Sequence, residues 1–426
     1  MARVLILILF ITSLSAKNLQ VGVAVPLYEK RALAYNDSKY DDQMWYWLNL
    51  ARLNQIDGKY KESIYAYERA YVILNEYENR AKISLRNIGS SIGSALISKG
   101  FDGYYGSGYE RSLMHTLNAL NYMMIGDFEG AAVEMRRMEL RQDFWLEESS
   151  SKILKASEKA SKNSNGEVDI SKVPNDYSMA NILKDDSVRA VANNYQDPFS
   201  YALSSLIYTI AYDSEELIDI NLRRSVALNP LSKEIFKPSS GEKSVTVVAI
   251  GGFAPALTIE RVRFPLFRAQ TYTSLELPSL YPPKDSITSI KISTKNTTIT
   301  PPKLLQSHLL AYKTLQDEYL SNLFESLARA TTKGVIAKQA QDSFGDLGGL
   351  LASVIMDIFS SSNDKSYRNW DLLPNSGYLT QFKVKKGDDI AIEVNKEHYD
   401  FTIDSDVFIL VDFMSQQNKR IDYVKY

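Results

Sequence analysis

The apolar residues of this chain follow two different periods. Up to Pro230 they recur every third or fourth position, the spacing of helices with one buried face. Beyond it β-branched runs and alternation take over, the marks of strands. Ser244–Gly252, SVTVVAIGG, is a β-branched run closed by paired glycines and predicts a buried strand; LTIERVRFPL, positions 257–266, alternates as a half-exposed strand does. Further strands are expected at Gln270–Leu277, Ser286–Ser293, Leu379–Lys385, Ile390–Val394, Asp400–Ile403 and Val407–Phe413. Pro301 and Pro302 are expected to open a long helix, because Leu304, Leu305, His308, Leu309, Tyr312, Leu315, Tyr319, Leu320, Leu323 and Leu327 fall at helical spacing. A second helix is expected over Val335–Phe359, kinked at Gly345–Gly349. The pattern predicts an α+β protein: a helical domain at 17–238, with a Ser-, Lys- and Asn-rich flexible extension at 149–178, then a β-rich domain at 239–426. That second domain reads as a sheet or sandwich carrying a helical insertion at about 301–362.

The helical half repeats itself. In Trp47–Asn75, Trp47, Leu50 and Ala51 lie along one helix, Gly58 and Tyr60 make a turn, and Ser63, Tyr67 and Ala70 line a second helix. This is the spacing of a tetratricopeptide repeat, in which two antiparallel helices approach closely only where side chains are small. His115–Met138 repeats the pattern, with His115 in the place of Trp47, Asn118 of Leu50, Ala119 of Ala51, Gly126 of Gly58, Phe128 of Tyr60, Ala131 of Ser63 and Met138 of Ala70. A third copy runs from Ala202 through Leu206 and a turn at Asp213 to Pro230. Each helical pair leaves apolar surface that only a neighbour can cover, so an α-solenoid is expected, with a concave face suited to a protein partner.

Composition narrows the surroundings of such a fold. Met1–Ala16, MARVLILILFITSLSA, has one basic residue, an apolar run and a small-residue end; it predicts a cleaved secretory signal peptide. Removal of Arg3 takes the formal charge from -2 to -3. With no cysteine in 426 residues, disulfide scaffolds, zinc ribbons, thiol nucleophiles and a thiol-linked lipid anchor are all excluded. Near-neutral charge gives no footprint for nucleic acid. No second membrane span is expected, because Leu347–Phe359 is too short and is interrupted by Asp357. A periplasmic chain, peripheral to the outer membrane at most, fits these features.

Candidate chemistry is sparse. His115, His308 and His398 stand in no metal-ligand spacing, and no nucleophile elbow or phosphate loop occurs, so neither a cofactor nor a metal is implied. Gly103–Arg111, GYYGSGYER, enters a helix, and its start reads either as an anion site or as an aromatic-packed turn, the second being the stronger reading. Tyr104, Tyr105 and Tyr109, of 27 tyrosines, cluster there. Glu110 and Arg111, with Glu134, Arg136 and Arg137 on the next helix, are expected to form an ion-pair cluster, or to bind a partner's carboxylates through the arginine forks. Trp370, with Leu372, Leu373 and Pro374, is expected to plug the junction between the last helix and the sheet.

Three stretches, YYGSGYERSLMHTLNALNYMMIGDFEGAAVEMRR, GGFAPALTIERVRFPL and SYRNWDLLP, resemble a family of uncharacterised bacterial envelope proteins that join tetratricopeptide-like helices to a β-rich C-terminal region. The resemblance implies a periplasmic or outer-membrane-facing protein with no assigned reaction; many members look like lipoproteins, and members are associated with regulation of cell-wall synthesis. The expectation is a noncatalytic scaffold that binds an envelope protein partner through Tyr104, Tyr105, Tyr109, Glu110, Arg111, Glu134, Arg136 and Arg137. The alternative is a protein close to peptidoglycan that binds or cleaves it or another glycan, with Glu110 and Glu134 as the carboxylate pair.

Overall fold

The computed structural model describes residues 43–86, 104–143, 177–182, 184–266, 271–320 and 370–426. The expected leader, most of the 149–178 extension and the helix at 335–359 lie outside these residues. Three helical hairpins come first: α1 (Met44–Ile56) with α2 (Tyr60–Arg86), α3 (Gly108–Met124) with α4 (positions 128–143), and α5 (Pro198–Ile210) with α6 (Glu215–Leu228). Small residues sit at the crossings, as the sequence requires: Ala51, Ser63 and Ala70 are fully buried, and the Ser63 hydroxyl donates to the Ala51 carbonyl at 2.7 Å. In α1, α3 and α5 only Thr209 is exposed, whereas α2, α4 and α6 each keep a solvent stripe. A helix covered all round is apolar on most sides, as α1, MWYWLNLARLNQI, is, and its buried Asn49, Arg52 and Gln55 each find a hydrogen-bond partner.

The strands are β1 (Lys243–Gly251), β2 (Leu257–Leu266), β3 (Thr271–Leu280), β4 (Ile290–Ser293), β5 (Thr298–Ile299), β6 (Lys303–Gln306), β7 (Ser376–Val384), β8 (Asp388–Val394), β9 (Glu397–Ile403), β10 (Val407–Phe413) and β11 (Lys419–Lys425). One sheet has the order β11-β10-β1-β7-β6, a second β5-β4-β8-β9, and β2 and β3 form a separate ribbon. β1 runs parallel to β10 and antiparallel to β7.

Alternation along the central strands assigns each residue to one of two cores. Val248, Ile250, Leu379, Phe408 and Leu410 join Leu48, Leu74, Leu117 and Phe199 of the helices. Val247, Ala249, Phe382, Ile409 and Val411, one position out of step, join Ile292, Ile390, Ile392 and Val394 of the second sheet. The layers are therefore helices, five-stranded sheet, four-stranded sheet. Strands β1 and β10 are covered on both faces, which is why they read as continuous apolar runs.

The structure corrects one expectation here. Pro301 and Pro302 do not open a helix: Lys303–Gln306 extends as β6 along β7, and the helix α7 (Ser307–Thr314) begins only afterwards. Leu304 and Leu305 are both buried although they are neighbours, so a pairing partner decided what their spacing could not. Trp370 is buried in the core beneath the helices, meeting Tyr67 of α2 edge-on at 6.2 Å, while the last helix it was expected to join to the sheet lies outside the described residues. Beside it the Leu372 backbone is held by Asn49 at 3.2 Å and by the Arg52 guanidinium at 3.2 Å. Strand β11, too charged to read as a strand, was not expected.

Candidate functional site

The glycine-tyrosine turn fixes the start of α3. Ser107 is its N-cap and Glu110 its third residue, and the Glu110 carboxylate accepts the Ser107 N–H at 2.6 Å and the Tyr104 hydroxyl. This is a capping box, so the anion at this helix start is supplied by the chain itself. Burial raises the Glu110 pKa above the ordinary carboxylate range, although the hydrogen bonds from Ser107 and Tyr104 pull it back. Arg111 donates to the Tyr105 and Gly106 carbonyls, each at 3.0 Å, and lies 3.5 Å from Glu78. Its guanidinium is 5.8 Å from the centre of the Tyr77 ring, which stacks on Tyr105 at 3.7 Å. Tyr109 is buried in the helical core.

Glu134 belongs to a second network. One oxygen meets His115 Nδ1 at 2.7 Å and the other accepts from Arg137 at 2.6 Å. Burial would raise the Glu134 pKa, but the hydrogen bond and charge of His115 and the charge of Arg137 outweigh it and hold the carboxyl below its ordinary value. Arg137 also pairs with Glu68 at 2.8 Å and lies 4.7 Å over Tyr71, whose ring meets His115 edge-on. Arg136 points the other way, to Asp213 and Tyr208 of the third hairpin. Of the expected cluster, Glu134 and Arg137 come together. Glu110 and Arg111 belong to the turn, and Arg136 ties the second hairpin to the third. The two carboxylates of the hydrolase alternative have no partner in common. Of the eight residues, Arg136 is exposed and Arg137 half-buried, whereas Tyr109, Glu110, Arg111 and Glu134 are buried.

Two polar constellations escaped the sequence. Arg52, fully buried, donates to both Asp412 oxygens, at 2.9 and 3.2 Å, and ties α1 to the five-stranded sheet. Asn49, Arg52 and Gln55 are three residues apart and form a polar stripe along an apolar helix, a signal that was legible. Its partner, 360 residues away, was not. The second constellation lies at the carboxyl end of β1, where the Asn375 N–H donates to the Gly251 carbonyl at 3.0 Å. Lys303 pairs with Asp285 at 2.9 Å, Asp285 accepts from Asn375 Nδ2 at 2.7 Å, and Asn375 Oδ1 faces both the backbone N–H and Nδ1 of His308 at 3.0 Å. Because an ionised carboxylate only accepts, the Asn375 amide faces Asp285 with its nitrogen and His308 with its oxygen. His308 Nδ1 therefore carries the proton and Nε2 the lone pair. Burial, followed by Lys303, depresses the His308 pKa, against the opposing pull of Asn375.

Among the described residues, no group of three or more His, Asp or Glu is placed to hold a metal ion, and no described helix is long and apolar enough to cross a membrane. Fold and polar networks together define a mixed α+β protein in which helical hairpins are packed on one face of a two-sheet stack. Comparison with protein-family models, curated proteins and solved structures finds no match to this chain.

Proposed function

We propose that the three hairpins form a tetratricopeptide-like array and that the protein is a noncatalytic periplasmic adaptor, which holds a protein partner of a bacterial envelope machine on its helical layer. One observation carries this reading: the chain's own sheet covers the inner helices, while the two adjacent outer helices present apolar side chains to solvent. On α2 these are Tyr65 and Val72, and on α4 Val133 and Leu140, each pair seven residues apart and so on one face. Tyr65 is 61 % exposed and Leu140 70 %. The Arg137–Glu68 pair and the Arg141–Asn75 hydrogen bond, at 2.8 and 2.7 Å, bind α2 and α4 side by side in the same direction, so the two pairs flank one surface. Apolar side chains grouped on neighbouring helices suit a protein partner better than a solvated face.

A photoreactive amino acid at Leu140 should form one discrete adduct with an envelope protein, and the same residue at Lys291, exposed on β4 of the far sheet, should not. Equal labelling at both positions overturns the reading. Purified peptidoglycan incubated with the mature protein should neither sediment it nor release fragments. Fragment release would establish hydrolysis in its place.

A further inference from the structure

The three hairpins turn in the same way, and the third departs from the others at one residue. After α1 and α3 the chain passes through Gly58 (φ +73) and Gly126 (φ +77), and after α5 through Tyr212 (φ +55). The same two backbone bonds close each turn. Gly58, Gly126 and Tyr212 donate to Gln55, Met123 and Thr209, and the next residues, Lys59, Asp127 and Asp213, donate to Asn54, Tyr122 and Tyr208 at 2.8, 3.0 and 2.9 Å. This left-handed helix end is the position at which glycine avoids a Cβ clash. A tyrosine there is strained, and its side chain returns nothing to the fold, being 93 % exposed. Near it lies an aromatic ledge: Tyr426, whose pKa burial raises with a lesser electrostatic contribution from Tyr212, meets Phe128 edge-on at 6.0 Å. Glu215 and Glu216, exposed in the first turn of α6, follow within four residues, while the Asp213 carboxylate is engaged by Arg136.

We infer that Tyr212 is the anchor of a protein-docking surface and that the segment it receives presents an Arg or Lys. This rests on the adaptor reading and gives it a place and a chemistry. A cationic side chain laid on the tyrosine ring gains from the ring's negative face, and Glu215 and Glu216 complement its charge. An acidic segment would be repelled by the same two carboxylates.

The experiment places a photoreactive residue at position 212 and, separately, at Leu140, in the full chain within its own envelope, and maps the adducts by mass spectrometry. At position 212 the captured peptide should carry Arg or Lys within two or three residues of the attachment point. Capture should fall at least tenfold in the Glu215→Lys/Glu216→Lys double variant. A synthetic peptide of the captured sequence should then bind the wild type, lose affinity as salt rises, and bind Tyr212→Gly at least tenfold more weakly although that variant unfolds at a higher temperature. An adduct at Leu140 with none at 212, or a captured peptide without a basic residue, overturns the Tyr212 assignment and leaves the adaptor reading standing. No adduct at either position overturns both. Unchanged or lower thermal stability in Tyr212→Gly shows that the turn is unstrained and removes the inference's premise.

Discussion

Replacing Arg52 by Met tests whether one ion pair fastens the helical layer to the sheet. Arg52 is fully buried, and its three donor groups reach Asp412 twice, the Leu372 carbonyl and Gln55. Methionine fills much of the same volume, so the change removes charge and hydrogen bonds more than packing. It leaves the Asp412 carboxylate buried on β10 without its cation. Each charge-assisted bond is worth ~1.5–3 kcal/mol, so the two to Asp412 set a scale of ~3–6 kcal/mol. Removing one partner of a buried pair elsewhere destabilises by ~3–5 kcal/mol. Urea unfolding followed by tryptophan fluorescence should show a loss in that range, with Trp45 and Trp47 on the helix that carries Arg52 and Trp370 two residues from the Leu372 carbonyl that Arg52 holds. The Arg52→Met/Asp412→Leu double variant should recover most of the loss, because a hydrophobic substitute has no desolvation penalty to offset. A single-variant loss under about 1 kcal/mol, or a double variant no more stable than the single, would refute the argument.

Two further changes probe single positions. The Asp197 carboxyl caps α5, accepting the Ser200 N–H at 2.7 Å, and burial pushes its pKa up to about 6 despite that bond. It binds its proton more tightly folded than unfolded, where the value is ~3.9, so its contribution is fully present below that value and is lost as pH rises through about 6. Asp197→Asn keeps the cap and should therefore gain roughly 2–3 kcal/mol relative to wild type between pH 4 and pH 7.5 in denaturant titrations; a constant difference would contradict the assignment. Gly58→Ala and Gly126→Ala both force alanine into a left-handed turn, at ~1–2 kcal/mol, but only at Gly58 does the new Cβ strike the Arg420 guanidinium, which donates to the Asp57 carbonyl. Gly58→Ala should be the more damaging by about 1 kcal/mol in thermal unfolding; equal losses would show that Arg420 moves away freely.

The sequence announced the hairpins and most of the strands, and it failed where neighbours far along the chain decided. Gly58 and Gly126 mark their turns because left-handed backbone favours glycine locally; Tyr212 carries no such mark, and its strain is visible only in the third turn's geometry. The candidate residues were located on the right elements, but their spacing said nothing about direction. Glu110 turned back on Ser107, Glu134 turned to His115, and Arg136 and Arg137, adjacent in sequence, diverged to different hairpins.

By itself the sequence determined most of the helical and extended segments, because a period of 3.6 or 2 is a property of neighbouring residues. It also determined that β1 is a buried strand, since no polar residue but Thr246 breaks the run VTVVAIG. Only the tertiary structure decided that the five-stranded sheet would lie under the inner helices, that Lys303–Gln306 would extend along β7, and that Arg52 would meet Asp412. Those outcomes depend on contacts between segments up to 360 residues apart. An apolar face states that it will be buried, and its period cannot name what will cover it.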